Sequence, residues 1–373
     1  MKKEYIGIDV HRNSTFISIV SDQGEVIHRE VKTDKGQILM EIVRLLEEVG
    51  GKSGEVVVAM EAGPGVMSVA RYLSGSELEV KVYDSLEVNR KKPNQYKKSD
   101  RVDSEWLAEG TRRGIFEKEV YVPSEGEARL RILFREREAL VQSRTGVINR
   151  VKAFLAQLAK EVDVKKLSCA ERWEELLSEL ERMEGEIGVY ECVKLEFEQW
   201  KLFTKQLEEV EEKIREEIRN QGLEEEVELL KTIPGIGDTT AMALVSFIGD
   251  INRFPDGRHL ASYFGVVPDV AESGGKRVDK GTGARGNKII KRMLIQCAQL
   301  TCRKKSPFYP FYAKIRANRG HHKAIVAMAY KLVRIIYVVL SRKEGFSLDK
   351  LGVEPWEGVI EKRVYYRIKK RKK

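Results

Sequence analysis

Four carboxylates stand out, two where short apolar runs give out and two spaced three apart. Asp9 closes "YIGID", Glu61 closes "VVVAME", and Asp100 and Asp103 lie three apart in "KSDRVDSEWLAE". Residues three apart on a helix share a face, so Asp100 and Asp103 can reach one point. The ends of neighbouring central strands converge in the same way. Four hard oxygen donors around one point suit Mg2+ or Mn2+. Two such ions can serve the attacking and leaving oxygens of a phosphodiester exchange. Singly, each acid has a plainer role: Asp100 as a helix N-cap, Asp103 as a first-turn charge, Glu61 as a surface residue at a strand end. Asp9 resists such a reading because it interrupts an apolar strand. Taken together in a basic chain, the four read as a metal site.

A second group is "ESGGKRVDKGTGARGNK". Ser273 heads it, followed by Gly274, Gly275, Lys276 and Arg277, with Arg285 further on. Glycine lets a backbone approach a ligand closely, and cations neutralise phosphate. The stretch reads as a loop presenting a serine hydroxyl to a phosphodiester. A turn serine is the plainer alternative, and general neutralisation of a nucleic-acid backbone suits each cation as well. A third group is "TIPGIGDTTAMALVSF", where Gly235 and Gly237 separate two apolar helices. It reads as a helix-hairpin-helix whose backbone N–H groups face a DNA phosphate, or as a helix connector.

The elements that must position these residues follow from periodicity. "EYIGIDV", "STFISIV" and "VIHREV" are β-rich runs forming a meander. A helix through Ile38, Ile42, Leu45, Leu46 and Val49 follows, then "EVVVAME", an apolar run expected of a strand buried on both faces. The order βββαβαβα predicts a mixed sheet with helices on its faces, an RNase H-like layout of residues 1–125. Residues 126–228 predict long helices of coiled-coil type. Leu130, Leu133, Leu140, Val147 and Val151, then Leu176 and Leu180, then Phe203, Leu207, Val210, Ile214 and Ile218 recur at helical spacing. Burying those stripes calls for a partner helix from the same chain or from a second protomer. Residues 229–345 predict a helical C-terminal domain, and 346–373 a basic tail. The fold class is therefore α/β plus all-α.

Net charge is +9 over 373 residues, unevenly spread. Glu171 to Glu228 holds 20 glutamates against 8 Lys or Arg, so the rest of the chain carries +21. The last 13 residues hold 8 Lys or Arg. A basic body with one acidic insert points to a nucleic-acid partner. No apolar run reaches the ~18 residues of a membrane span, and the N-terminus lacks a signal-peptide pattern. Cys169, Cys192, Cys297 and Cys302 form no CxxC or CxxH spacing. Reduced thiols in a cytoplasmic, nucleoid-associated protein fit this usage.

With these residues in place, the chain resembles the DEDD transposases of insertion sequences, relatives of the Piv/MooV-type DNA invertases. "YIGIDVHRNSTFISIV", "AMEAGPG" and "KKSDRVDSEWLAE" resemble the RuvC-like half. "TIPGIGDTTAMALVSFIGDINRF", "HLASYFGVVP" and "ESGGKRVDKGTGARGNKIIKRMLIQCA" resemble the transposase half. The resemblance implies Asp9, Glu61, Asp100 and Asp103 as the acidic tetrad and Ser273 as the nucleophile. It implies excision of a mobile element and its insertion into target DNA, guided by a structured bridge RNA that pairs with donor and target. It also implies a dimer or tetramer. Where relatives carry "GxIxKxGN", this chain reads "GTGARGN". Three other readings compete: a RuvC-like junction nuclease using water, a non-catalytic architectural protein, and an RNA-binding assembly factor.

Overall fold

The computed structural model describes residues 3–21, 24–50, 56–76, 78–93, 99–157, 167–182, 188–273, 276–282, 286–304 and 306–347, with only the backbone of 268–282. Gly274, Gly275, Arg285 and the segment 348–373 lie outside the described residues, as do Leu158, Met183 and Ile187, which continue the helical spacing of the apolar stripes in the sequence. The chain divides into two units, Met1–Glu125 and Gly126–Lys373.

The first unit is built on a five-stranded sheet of order β3-β2-β1-β4-β5. Its strands are β1 (Glu4–Val10), β2 (Ser14–Val20), β3 (Val26–Lys32), β4 (Val56–Glu61) and β5 (Glu79–Tyr83). β1, β2 and β3 pair antiparallel, as their short polar connections require, while β4 lies parallel to β1 and β5 parallel to β4. The parallel pairings need crossovers, supplied by α1 (Lys35–Val49) and α2 (Val66–Ser74). Asp34 caps α1 by accepting from the Gln37 N–H, and Gly50 ends it in the left-handed region at φ 69°. The helices α3 (Ser85–Lys91) and α4 (Asp100–Arg112) complete the unit.

Side chains alternate across the sheet. Ile6, Ile8, Ile17, Ile19, Val58 and Met60 form one core with Ile38, Ile42 and Leu45 of α1 and Val69 and Leu73 of α2. Ala59 on the other face joins Trp106 and Leu107 of α4. The closest approach falls at Gly7, where an added Cβ would lie 1.8 Å from the Ser104 carbonyl oxygen and 2.6 Å from the Ala108 nitrogen. Only a residue without a side chain lets α4 lie this close to β1. Beside it, the Ser18 and Ser104 hydroxyls hydrogen-bond at 2.7 Å in the buried interface.

The second unit is mainly helical: α5 (Glu125–Gln157), α6 (Ala170–Glu181), α7 (Val189–Asn220), α8 (Glu224–Lys231), α9 (Asp238–Ile248), α10 (Gly257–Tyr263), α11 (Lys288–Thr301), α12 (Tyr309–Arg319) and α13 (His321–Arg342), with strands β6 (Pro268–Ser273) and β7 (Lys276–Thr282). The predicted stripes are largely buried within the chain. Leu130, Phe134, Ile214 and Ile218 join the core built on α9, α11 and α13. Val147, Val151, Leu176, Leu180, Trp173, Phe197 and Trp200 form a separate core. Of the two origins open for a covering helix, the same chain supplies it for these residues. α13 is long and apolar enough to cross a membrane by length and composition. It nonetheless buries Ala324, Met328, Leu332, Ile336 and Leu340 in the protein core. All four cysteines are free.

Candidate functional site

The carboxylate site follows from two pieces of strand geometry. The β1–β4 register runs to Ile8 opposite Met60, and the next residues are Asp9 and Glu61. They therefore occupy the carboxyl ends of adjacent parallel strands, where open α/β sheets place their ligand sites. Asp9 is two residues beyond Gly7, and Glu61 two beyond Ala59. Both strand faces at this end are thus the ones covered by α4. α4 begins at Asp100, one turn before the Ser104 contact on Gly7, so its first turn meets the strand ends. Ser99, not Asp100, is the N-cap, its hydroxyl accepting from the Val102 N–H at 3.3 Å. That leaves both Asp100 and Asp103 in the first turn with their carboxylates uncommitted to capping.

The acids interact with one another. Asp9 is pushed above the usual carboxylate range, chiefly by burial. The nearby His11 opposes the shift, and the charges of Asp103 and Asp100 add to it. Glu61 is also raised, again first by burial; hydrogen bonds from Asn89 and Ser85 oppose, and Asp9 and Asp103 add. Buried like charges at one point are costly unless a cation compensates them.

The compensating groups are polar side chains that sequence reasoning missed. His11 Nε2 lies 3.0 Å from Asp9 Oδ2 and 3.3 Å from Asp100 Oδ1. Lys92 pairs with Asp103. Asn89 Nδ2 donates to Glu61 Oε1 at 3.1 Å. One ligand atom from each of Asp9, His11 and Asp100 falls within 4.8 Å of the others, a spacing open to a metal ion. The signal for His11 was its place in "DVH", two residues after Asp9 and just beyond the end of β1. Lys92 had no such signal, because its partner Asp103 lies eleven residues on, in another element.

These residues fit a hard divalent cation. The donors are mainly carboxylate oxygens, as Mg2+ and Mn2+ prefer, and the one imidazole is tolerated by Mn2+. His11 places a ring nitrogen against Asp9 and Asp100, and Lys92 pairs with Asp103.

Ser273 belongs to the second unit. The stretch around it is not the loop expected from its glycines but an antiparallel strand pair, β6 with β7. Ser273 is the last residue of β6, its backbone paired with Lys276, and Glu272 is paired with Arg277. The two residues between, Gly274 and Gly275, have the composition of a two-residue hairpin turn. Charged residues hid the strand pattern in the sequence. Gly286, beyond β7, has φ 108° and sits so close to Phe264 and Gly265 that a Cβ would meet backbone at 2.6 Å.

The two glycines of the proposed helix-hairpin-helix differ. Gly235 has φ 92°, and a Cβ there would meet Thr301 Cγ2 at 2.7 Å and the Cys297 carbonyl at 3.2 Å on α11. Gly237 has an extended backbone, open space around it, and caps α9. Gly235 thus has a packing reason to be glycine, whereas Gly237 has none. Asp238, the first residue of α9, is paired with Lys231 at 2.6 Å.

Two family profiles match the chain. Residues 6–159 match a transposase profile of the DEDD, IS110 type, and residues 227–313 match the transposase IS116/IS110/IS902 family. The transposase for insertion sequence element IS1328 of Yersinia enterocolitica is 27% identical over 351 residues, 92% of this chain and 98% of that protein. The transposase for insertion sequence element IS1111A of Coxiella burnetii is 27% identical, over 91% of this chain and 90% of that one. The pilin gene-inverting protein of Moraxella lacunata is 33% identical over 122 residues, covering 32% of this chain and 38% of its own. These transposase and gene-inverting relatives make the chain a DNA-rearranging enzyme of the transposase class. The chain belongs to the IS110-type DEDD transposases.

Proposed function

We propose that this protein is the strand-exchange enzyme of an insertion sequence, acting on donor and target double-stranded DNA. The observation that supports the reading is geometric: Asp9 and Glu61 end adjacent parallel strands, and Asp9, His11 and Asp100 cluster there, with Asp103 acting as a neighbouring charge on both Asp9 and Glu61. Asp9, Glu61, Asp100 and Asp103 would hold Mg2+ or Mn2+. When bound, the metal supplies stabilisation of charge developing on the phosphate and the leaving oxygen. His11 orients Asp9 and Asp100 and would be a further candidate ligand.

Ser273 is the proposed nucleophile. Its Oγ forms a bond to phosphorus, the bridging P–O bond opposite breaks, and the hydroxyl proton leaves to solvent while the leaving strand oxygen takes one up. The resulting phosphoserine ester conserves the bond for rejoining. Gly274, Gly275, Lys276, Arg277 and Arg285 are the proposed phosphate-facing group, and Gly235 and Gly237 a second contact with duplex. A structured bridge RNA is the proposed guide and a dimer or tetramer the proposed assembly, both as the family resemblance implies. A cytoplasmic, nucleoid-associated location accords with such substrates.

The test is strand cleavage of a labelled element end with Mg2+. Asp9→Ala and Asp103→Ala should each reduce cleavage on the order of a thousandfold or more, with circular dichroism unchanged. Parental cleavage by either variant, or by the parent in excess EDTA, would overturn the metal role.

A further inference from the structure

In the second unit, α13 turns one face toward a cavity of about 590 Å3. Lys331, Arg334, Val338 and Arg342 line it from that face, at steps of three, four and four. Phe311 of α12 forms the opposite side, and the chain leaving α13 closes it at Phe346. That closing segment is well held. The Phe346 N–H donates to Thr232 Oγ1 at 2.7 Å, and its ring packs on Phe308 with centroids 5.7 Å apart.

Three cations, Lys331, Arg334 and Arg342, line this cavity together with one carboxylate, Glu344, whereas several cations elsewhere are held by acids. Arg150 is clasped by Glu196, Arg292 by Glu138, and Arg137 by Glu211. Among the described residues, Lys331, Arg334 and Arg342 form no ion pair with any carboxylate. Lys331 is half-buried with its ammonium 4.4 Å from the centre of the Phe311 ring. Burial, and then the charge of Arg334, lower its pKa. A partly buried cation beside a second cation is costly on its own and is relieved by an anion. Lys331 to Arg342 spans roughly 16 Å of helix, too far for one phosphate and suited to a backbone carrying several. The Phe311 and Tyr330 rings also line the cavity, and the ring surface not covered by Lys331 offers a base a place to stack, which needs no particular base.

We propose that this cavity binds single-stranded DNA, with Lys331, Arg334 and Arg342 on successive phosphates and an unpaired base against Phe311. Strand exchange exposes such strands, so the proposal rests on the transposase reading. Binding is nevertheless measured without catalysis. The experiment is fluorescence anisotropy of the full chain with labelled oligo(dT) in EDTA, over a series of salt concentrations, with oligo(rU) as a second arm. Lys331→Gln combined with Arg334→Gln should weaken oligo(dT) binding roughly tenfold and reduce the salt slope by roughly 1.4. Phe311→Leu should weaken it with the slope unchanged, and the charge-retaining Lys331→Arg with Arg334→Lys should bind as the parent does. Parental affinity in the glutamine variant would overturn the site. A loss confined to oligo(rU) would overturn its assignment to DNA. Intact oligo(dT) binding by a chain that never cleaves DNA would count against the transposase mechanism alone.

Discussion

The two strand ends that carry the proposed chemistry are built in opposite ways. Asp9 ends a central strand, with β2 and β4 paired on either side of β1 and α4 pressed onto its face at Gly7. Ser273 ends one strand of a two-stranded sheet, a unit that on its own is marginal in water. The position of Asp9 is set by packing, and that of Ser273 by strand pairing. A carboxylate site that must hold like charges together needs the first kind of support. A nucleophile that must meet a phosphate is served by the second, provided the substrate completes its surroundings.

Changes at Gly7 break this comparison most forcefully. Gly7→Ala drives a Cβ into the backbone of α4 and should cost about 3 kcal/mol or more. The helix carrying Asp100 and Asp103 must shift, so cleavage should fall further than the loss of folded protein explains. Thermal unfolding and specific activity, read on the same sample, check this. A fully stable Gly7→Ala protein would show that α4 does not rest on β1 as described.

The next contrast lies within one motif. Gly235→Ala should destabilise by roughly 1–3 kcal/mol, because the residue has a positive φ and no room beside Thr301. Gly237→Ala should cost about 1 kcal/mol or less yet weaken binding of duplex DNA if its N–H groups face a phosphate. Denaturant melts with a duplex-binding titration separate the two. Equal stability losses at both positions would make the segment a plain connector.

The smallest expected effect is one of pH. The folded Asp9 carboxyl holds its proton to higher pH than an unfolded one does. Metal-free protein therefore loses stability as pH rises from the ordinary carboxylate range through the raised value. An asparagine in its place carries no charge to bury. Asp9→Asn should melt higher than the parent in EDTA above that interval, and the gap should close as pH falls below it. A gap that persists at low pH would place its origin elsewhere than in the buried charge.

Much of the first unit was legible in the sequence because its elements are encoded by period. The alternation of Ile6 and Ile8, the run Val56–Met60, and the spacing of Asp100 and Asp103 gave strands, buried sheet and helix face together. Gly7 was silent there, since a glycine in a strand does not announce which backbone it admits. Lys92 and Asn89 were also silent, because their contacts arise from how α3 folds back on the strand ends. In the second unit the apolar stripes were clear, but periodicity cannot say whose helix covers them. The β6–β7 pair was hidden because its alternation is written in charged and small residues, which also spell a loop.

The most direct test of the account asks whether the serine becomes bonded to DNA. Parent protein is incubated with Mg2+ and labelled donor DNA, quenched under denaturing conditions, digested and analysed by mass spectrometry. The account predicts a nucleotide-bearing peptide that includes Ser273, absent from Ser273→Ala and absent from Asp9→Asn. Cleaved DNA with free ends and no protein attached, formed equally by Ser273→Ala, would contradict it and leave water as the attacking group.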